Sequence, residues 1–251
     1  MIFFAHRGGS VETLGNTLSG VLRCFNLGLN IEIDVVACKD ALICTHNLSL
    51  GSDMIRSFGL DGVRKYRLQD IGFKLDVFPA EGGDAERIPT LLEVLAAAKQ
   101  APHQPTVLLD LKSDDIVDEV CQQVRWAGLQ NQVIYGVHRL SELSGWENTS
   151  QVLAFCSQEE LEQFCHSNVH WIRLWQSWLL DEQDQLTDPL GLISQIPGHQ
   201  ALCIMTGGPN HADGGVCTLG QIRRLDSMGA KGMILNDPSL CLVGAYALDH
   251  V

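Results

Sequence analysis

The chain has 251 residues, 45% hydrophobic and 19% charged, the balance of a globular protein that buries a large core. Its net charge of −13 argues against nucleic acid or an anionic membrane surface as a main partner, and no apolar run is long enough to span a bilayer. The nine cysteines have no C-x-x-C pair and no regular spacing, and the apolar start Met1–Ala5 is too short for a secretory leader. The expectation is therefore a cytoplasmic protein with reduced, mostly buried thiols.

Strand-like and helix-like stretches alternate along the chain. The first strand, IFFAH (2–6), runs into His6-Arg7-Gly8-Gly9, and helix NTLSGVLRCFNLG (16–28) follows. The second strand, NIEIDVV (30–36), carries Glu32 and Asp34 two apart, hence on one face, and the short segment ALICT ends at His46. Residues 47–88 are too many for a plain loop and read as a small insertion folded over one end of the molecule.

Helix TLLEVLAAAKQ (90–100) leads to strand TVLLDLK (106–112), with Asp110 and Lys112 again two apart. Then come helix IVDEVCQQVRWAG (116–128), strands QVIYGV (132–137) and QVLAF (151–155), and helix SQEELEQFCHS (157–167). Strands HWIRLW (170–175) and ALCIMT (201–206), helix TLGQIRRLDSMGA (218–230) and strand KGMILN (231–236) complete the series. Ser157 and Glu160 have capping-box spacing, Gly28, Gly128 and Gly229 sit where helices stop, and Asp237-Pro238 fits the start of a last helix.

Eight strands alternating with helices imply a parallel sheet, and eight is the number that closes a (β/α)8 TIM barrel. The expected architecture is one α/β domain over 1–251, with the 47–88 insertion after the second strand. An open doubly wound sheet is the alternative.

In a barrel, catalytic groups come from the C-terminal ends of strands. A strand with helices on one face and a packed core on the other has no solvated face, so its carboxylates must be paired or metal-bound. Glu32, Asp34 and Asp110 offer oxygen ligands to a hard divalent cation such as Mg²⁺ or Ca²⁺, with Mn²⁺ also admissible. His6 and His46 suit general acid and base roles near neutral pH. Arg7 and Lys112 suit phosphate oxygens. His138 and Arg173 near strand ends, and Asn210 and His211 in a late loop, read as structural, while Trp171, Trp175 and Trp178 read as core and rim packing.

Taken in order, His6-Arg7-Gly8, Glu32-Ile33-Asp34, His46 and Asp110-Leu111-Lys112 resemble the glycerophosphodiester phosphodiesterases, a family of (β/α)8 barrels with a small subdomain after the second strand. The stretches NTLSGVLRCFNLGLNIEIDV, IPTLLEVL and GAKGMILNDP extend the resemblance over the whole chain. It implies His6 and His46 as the acid/base pair, Glu32, Asp34 and Asp110 as ligands of one divalent cation, and Arg7 and Lys112 as phosphate contacts. The implied reaction is hydrolysis of a glycerophosphodiester to glycerol 3-phosphate and an alcohol, with a small-molecule substrate, no nucleic acid, no stable membrane insertion and a homo-oligomer left open.

The chain departs from the family at four points. Pro-Glu-Asn-Thr reads Leu14-Gly15-Asn16-Thr17, with Glu12 the nearest preceding acid, and the third-strand Glu is Asp110. His-Asp reads His46-Asn47, and Trp-Thr-x-Asn reads Met205-Thr206-Gly207-Gly208. Two alternatives follow: the same barrel acting on lysophospholipids or another phosphodiester, or a non-catalytic barrel that binds a phosphorylated ligand.

Overall fold

Strand β1 (Ile2–Ala5) pairs in parallel with the last strand, β11 (Gly232–Leu235), and on its other edge with β2 (Asn30–Ala37). The computed structural model describes residues 1–50, 53–64, 86–113, 115–143, 146, 151–209 and 217–249. From β2 the ring runs through β6 (Val107–Leu111), β7 (Val133–Val137), β8 (Gln151–Ala154), β9 (Trp171–Trp175) and β10 (Ala201–Met205) to β11. Eight parallel strands therefore close a TIM barrel, and all eight are the strands expected from the sequence.

The alternation of side chains builds two cores. Phe4, Leu108, Ile134, Leu153, Cys203 and Ile234 fill the barrel. Phe3, Ile31, Ile33, Leu109 and Met233 point the other way and pack under the helices with Val21, Val94, Val120 and Ile222. Each fully buried aliphatic or aromatic side chain contributes about 1.5–3 kcal/mol.

Helix α1 (Leu18–Asn26) is capped by Thr17, whose hydroxyl accepts from Gly20 N. Capping boxes open α3 (Leu91–Gln100) at Thr90/Glu93 and α7 (Leu219–Ser227) at Thr218/Gln221. Asp237 caps α8 (Pro238–Asp249) as expected, its Oδ1 accepting from Ser239 N at 2.8 Å. The expected box at Ser157 is only half formed. Glu160 accepts from Ser157 N and Oγ, but α5 (Leu161–Cys165) begins after Glu160, so the bonds close the preceding turn. Gly28, Gly128 and Gly229 follow α1, α4 (Val117–Ala127) and α7 with positive φ. After β9 the return path holds one short helix, α6 (Leu192–Gln195), because 176–200 lacks a long amphipathic stretch.

Strand β3 (Leu42–Cys44) lies antiparallel on β2 beyond its pairing with β1. Within 47–88, β4 (Ser49–Leu50) pairs with β5 (Asp53–Met54), and α2 (Leu60–Val63) follows. Ile55, Val63 and Ile88 join Val36 and Ile43 in a small apolar cluster separate from the main core. Residues 65–85 of the expected insertion, and Asn210 and His211, lie outside the described residues. None of the nine cysteines forms a disulfide, and eight of them are buried. Among the described residues no helix is long and apolar enough to cross a membrane.

Candidate active site

Glu32 and Asp34 point into the barrel from β2, and Asp110 does so from β6 at the position paired with Asp34. All three are buried, and one oxygen of each lies within 4.8 Å of the other two. Three hard oxygen donors so gathered fit a divalent cation.

Burial raises the Glu32 carboxyl well above its usual range, and the Asp34 and Asp110 charges push it further. Burial alone would raise Asp34 and Asp110 as well. For Asp34, Lys112 and Arg7 outweigh it, and for Asp110, Lys112 and His138 do, so both stay below the usual range. Burial likewise acts to lower Lys112, but Asp110 and Asp34 hold it above its ordinary value. Without a cation, Glu32 is thus the member of the trio that gives up its proton last.

The end of β1 passes into a single 3-10 turn, His6–Gly8, in which Arg7 takes a left-handed backbone (φ 52°). That conformation costs a non-glycine residue about 1–3 kcal/mol and persists because its surroundings fix it. Arg7 N donates to Glu32 Oε2 at 2.9 Å, its carbonyl accepts from Asn16 N at 2.8 Å, and Nε lies 3.2 Å from Asp34 Oδ2, off the hydrogen-bond line.

Gly15 is fitted to the same arginine: a Cβ there would lie 3.1 Å from Arg7 Cβ and 3.2 Å from Cδ. The position at which the family pattern has Glu is therefore closed by Arg7. Glu12 does not replace it, being held by Arg23 and Ser239 at the α1 and α8 ends. Gly8 and Gly9 serve packing. Added Cβ atoms would meet Val21 and Pro238, so the two glycines let α1 and α8 approach the turn.

His6 Nδ1 is 2.5 Å from Asn236 Oδ1, which makes Nδ1 the donor and leaves Nε2 facing Glu32 Oε2 at 3.8 Å. Asn16 grips Asp34 twice: Nδ2 donates to Oδ2 at 2.8 Å, and Oδ1 accepts from Asp34 N at 3.1 Å. Lys112 Nζ bridges the two aspartates, 2.5 Å from Asp110 Oδ2 and 3.3 Å from Asp34 Oδ1. His46 follows β3, is exposed, and acts on Asp34 through its charge. Six of the seven expected residues thus form one interlocked group, and His46 stands at its edge.

Of the residues read as structural, His138 bonds to the group, whereas Arg173, among the described residues, meets only the aromatic rings beside it. His138 Nε2 lies 2.6 Å from Asp110 Oδ1 while the ring stacks on Phe155 at 5.2 Å. Arg173 is buried inside the barrel, with Trp175, Phe155 and Trp178 around its guanidinium at 4.3, 5.2 and 5.8 Å. Trp175 and Trp178 are rim packing as expected, but what they pack on is a cation.

The inward period of two could have found both, since His138 continues Ile134 and Gly136, and Arg173 sits between Trp171 and Trp175. It also marks Asn236, two beyond Ile234. Asn16 gave only its motif position as a signal.

The chain matches no family model and no curated protein. Among solved structures it resembles an Oleispira antarctica phosphodiesterase in complex with the product sn-glycerol-3-phosphate, with 17% identity, TM-score 0.72 and coverage of 99% of this chain and 97% of that one. A glycerophosphodiester phosphodiesterase from Parabacteroides distasonis is similar at 18% identity and TM-score 0.68, covering 99% and 98%. One from Agrobacterium tumefaciens is similar at 15% and 0.70, covering 96% and 98%. At these identities the likeness establishes a shared fold over the full length of the chain.

Proposed function

We propose that the chain is a metal-dependent glycerophosphodiester phosphodiesterase that releases glycerol 3-phosphate and an alcohol. The observation that carries this reading is the buried Glu32–Asp34–Asp110 trio, interlocked with His6, Arg7 and Lys112 at one mouth of the barrel. The fold is shared with a phosphodiesterase solved with glycerol 3-phosphate. The barrel is taken as one domain over 1–251, with 47–88 as an insertion after the second strand.

Glu32, Asp34 and Asp110 would hold one divalent cation, Mg²⁺, Ca²⁺ or Mn²⁺, whose chemistry is to polarise the phosphoryl oxygen and offset charge on the phosphorane. The donor set fits. Arg7 and Lys112 match the charges of Asp34 and Asp110, and a cation would supply the further positive charge that lets Glu32 ionise.

Arg7 and Lys112 supply the fixed positive charge against which the diester phosphate binds, in a chain whose overall charge would repel it. His6, oriented by Asn236, presents Nε2 to move a proton, and His46, exposed beside the site, is the second proton handler. Asn16 keeps Asp34 aimed and Arg7 in its turn.

The test is hydrolysis of a panel of glycerophosphodiesters and of bis(p-nitrophenyl) phosphate with Mg²⁺, Ca²⁺ or Mn²⁺. Metal-dependent release of glycerol 3-phosphate, lost in His6→Ala, is expected. No metal-dependent turnover, or turnover indifferent to His6→Ala, overturns the reading.

A further inference from the structure

Arg173 is the group the mechanism leaves unused. It is 5% exposed, and its Nε and Nη1 are buried without a hydrogen-bond partner. Among the described residues no carboxylate pairs with it. A guanidinium removed from water with unmet donors is costly, and such groups are retained where something else satisfies them.

Its location says what. Strand β9 stands four strands from β2 in either direction around the barrel, so Arg173 faces the acidic trio from the opposite wall. The distance is bridged by one ring. Phe155 carries His138 stacked at 5.2 Å, Lys112 Nζ at 5.9 Å and Arg173 Cζ at 5.2 Å. The charges of Asp110 and Arg173 already act on each other, although burial dominates and lowers the guanidinium to about 10. A diester with its phosphate at Lys112 and the trio therefore projects its remaining substituent toward Arg173. The glycerol half has no further charge to offer; only the alcohol half can bring one.

The aromatic faces strengthen the argument. Trp175, Phe155 and Trp178 resemble a cage for a quaternary ammonium, but a cation of the chain's own fills it. With the ring faces taken, the guanidinium's open valences lie in its own plane, where N–H groups meet anionic oxygens.

We propose, resting on the phosphodiesterase reading above, that Arg173 receives an anionic group, carboxylate or phosphate, on the alcohol side of the substrate. The chain then selects anion-bearing glycerophosphodiesters over those carrying choline. Arg173 is a specificity-determining residue, and Trp175, Trp178 and Phe155 pack around its guanidinium.

The test compares wild type with Arg173→Met, which keeps the bulk and removes the charge, and with Arg173→Lys. Glycerophosphoserine presents a carboxylate, glycerophosphoinositol 4-phosphate a phosphate, and glycerophosphocholine a quaternary ammonium. Wild type is expected to prefer one of the two anionic substrates over glycerophosphocholine in kcat/KM. Arg173→Met should lose about 10- to 100-fold on it, chiefly in KM, and little or nothing on glycerophosphocholine. The melting temperature of Arg173→Met should hold or rise, since an unpaired buried charge is removed.

Equal losses on all diesters would put Arg173 on the reacting phosphate and overturn the proposal, as would a wild-type preference for choline. A lowered melting temperature with no change in substrate preference would make Arg173 structural and also overturn it. Thermal shift by the three compounds separates this inference from the phosphodiesterase reading. If wild type hydrolyses no diester, that reading fails, yet a shift by the anionic compounds that is absent in Arg173→Met still sustains the binding site. A shift unaltered in the variant refutes it.

Discussion

Asp34 and Asp110 stand opposite each other on adjacent parallel strands, and both carboxylates close on one ammonium, Lys112 Nζ. Lys112 is thus the charge the two buried aspartates share, beside Arg7 on Asp34 and His138 on Asp110. Lys112→Met should destabilise the EDTA-treated protein by about 3–5 kcal/mol, lowering Tm by roughly 10 °C. Added Mg²⁺ or Ca²⁺ should recover part of that loss. Thermal unfolding with and without the metal checks it, and an unchanged Tm would remove Lys112 from this role.

Glu32 sets the pH response of the metal-free protein. Its carboxyl is raised in the folded state, so folding binds an extra proton, and the stability this gives is full below the unfolded value of 4.5. It is lost as pH rises through the folded value. Asp34 and Asp110 act oppositely: their contribution is present above the unfolded value of 3.8 and lost as pH falls through their lower folded values. Glu32→Gln, which can still accept from Arg7 N, should flatten the fall above 4.5 and raise the neutral-pH stability of metal-free protein by about 1–3 kcal/mol. It should also weaken divalent-cation binding, read by Tm against pH in EDTA and by metal titration.

The His6–Asn236 bond fixes which ring nitrogen faces the cavity. Asn236→Ala should cost about 10- to 100-fold in kcat with KM little changed, as losses of such orienting partners do. The pH–rate profile should move as well, which a purely structural defect would not produce. Steady-state kinetics across pH decides it.

Gly15 leaves no room for a side chain beside Arg7. Gly15→Ala should destabilise by about 1–3 kcal/mol through overpacking and raise KM by displacing the guanidinium. A variant with wild-type Tm and KM would show the turn to be softer than its geometry implies.

His46 and His138 are separable. His138 supports Asp110, so His138→Ala should weaken metal affinity about 10- to 100-fold, visible as a smaller metal-induced Tm shift. His46→Ala should leave that shift intact and reduce turnover. Calorimetric metal titration of both variants distinguishes the two roles.

Much of this was readable from the sequence because a barrel converts periodicity into position. Glu32, Asp34, Asp110 and Lys112 sit at inward places on strands whose apolar neighbours identify them, and the eight strand segments closed as expected. What escaped were partners that depend on closure. Asn236 reaches His6 only because β11 meets β1, and His138 reaches Asp110 only through the β6–β7 register. Arg173 looked like a strand-end residue because a local pattern does not reveal which ring faces surround a side chain in three dimensions. The half-formed box at Ser157 failed for a local reason, since a turn competes with the helix for the same Glu160 oxygen.

The bond between His6 and Asn236 joins groups 230 residues apart, and β1 has no partner on one edge until β11 is added. During synthesis, β1 and β2 are made early, but the imidazole cannot be aimed until nearly the whole chain has left the ribosome. The acidic trio, by contrast, draws only on β2 and β6, both early in the chain. The orienting bond on His6 is therefore a contact that only the closed barrel contains.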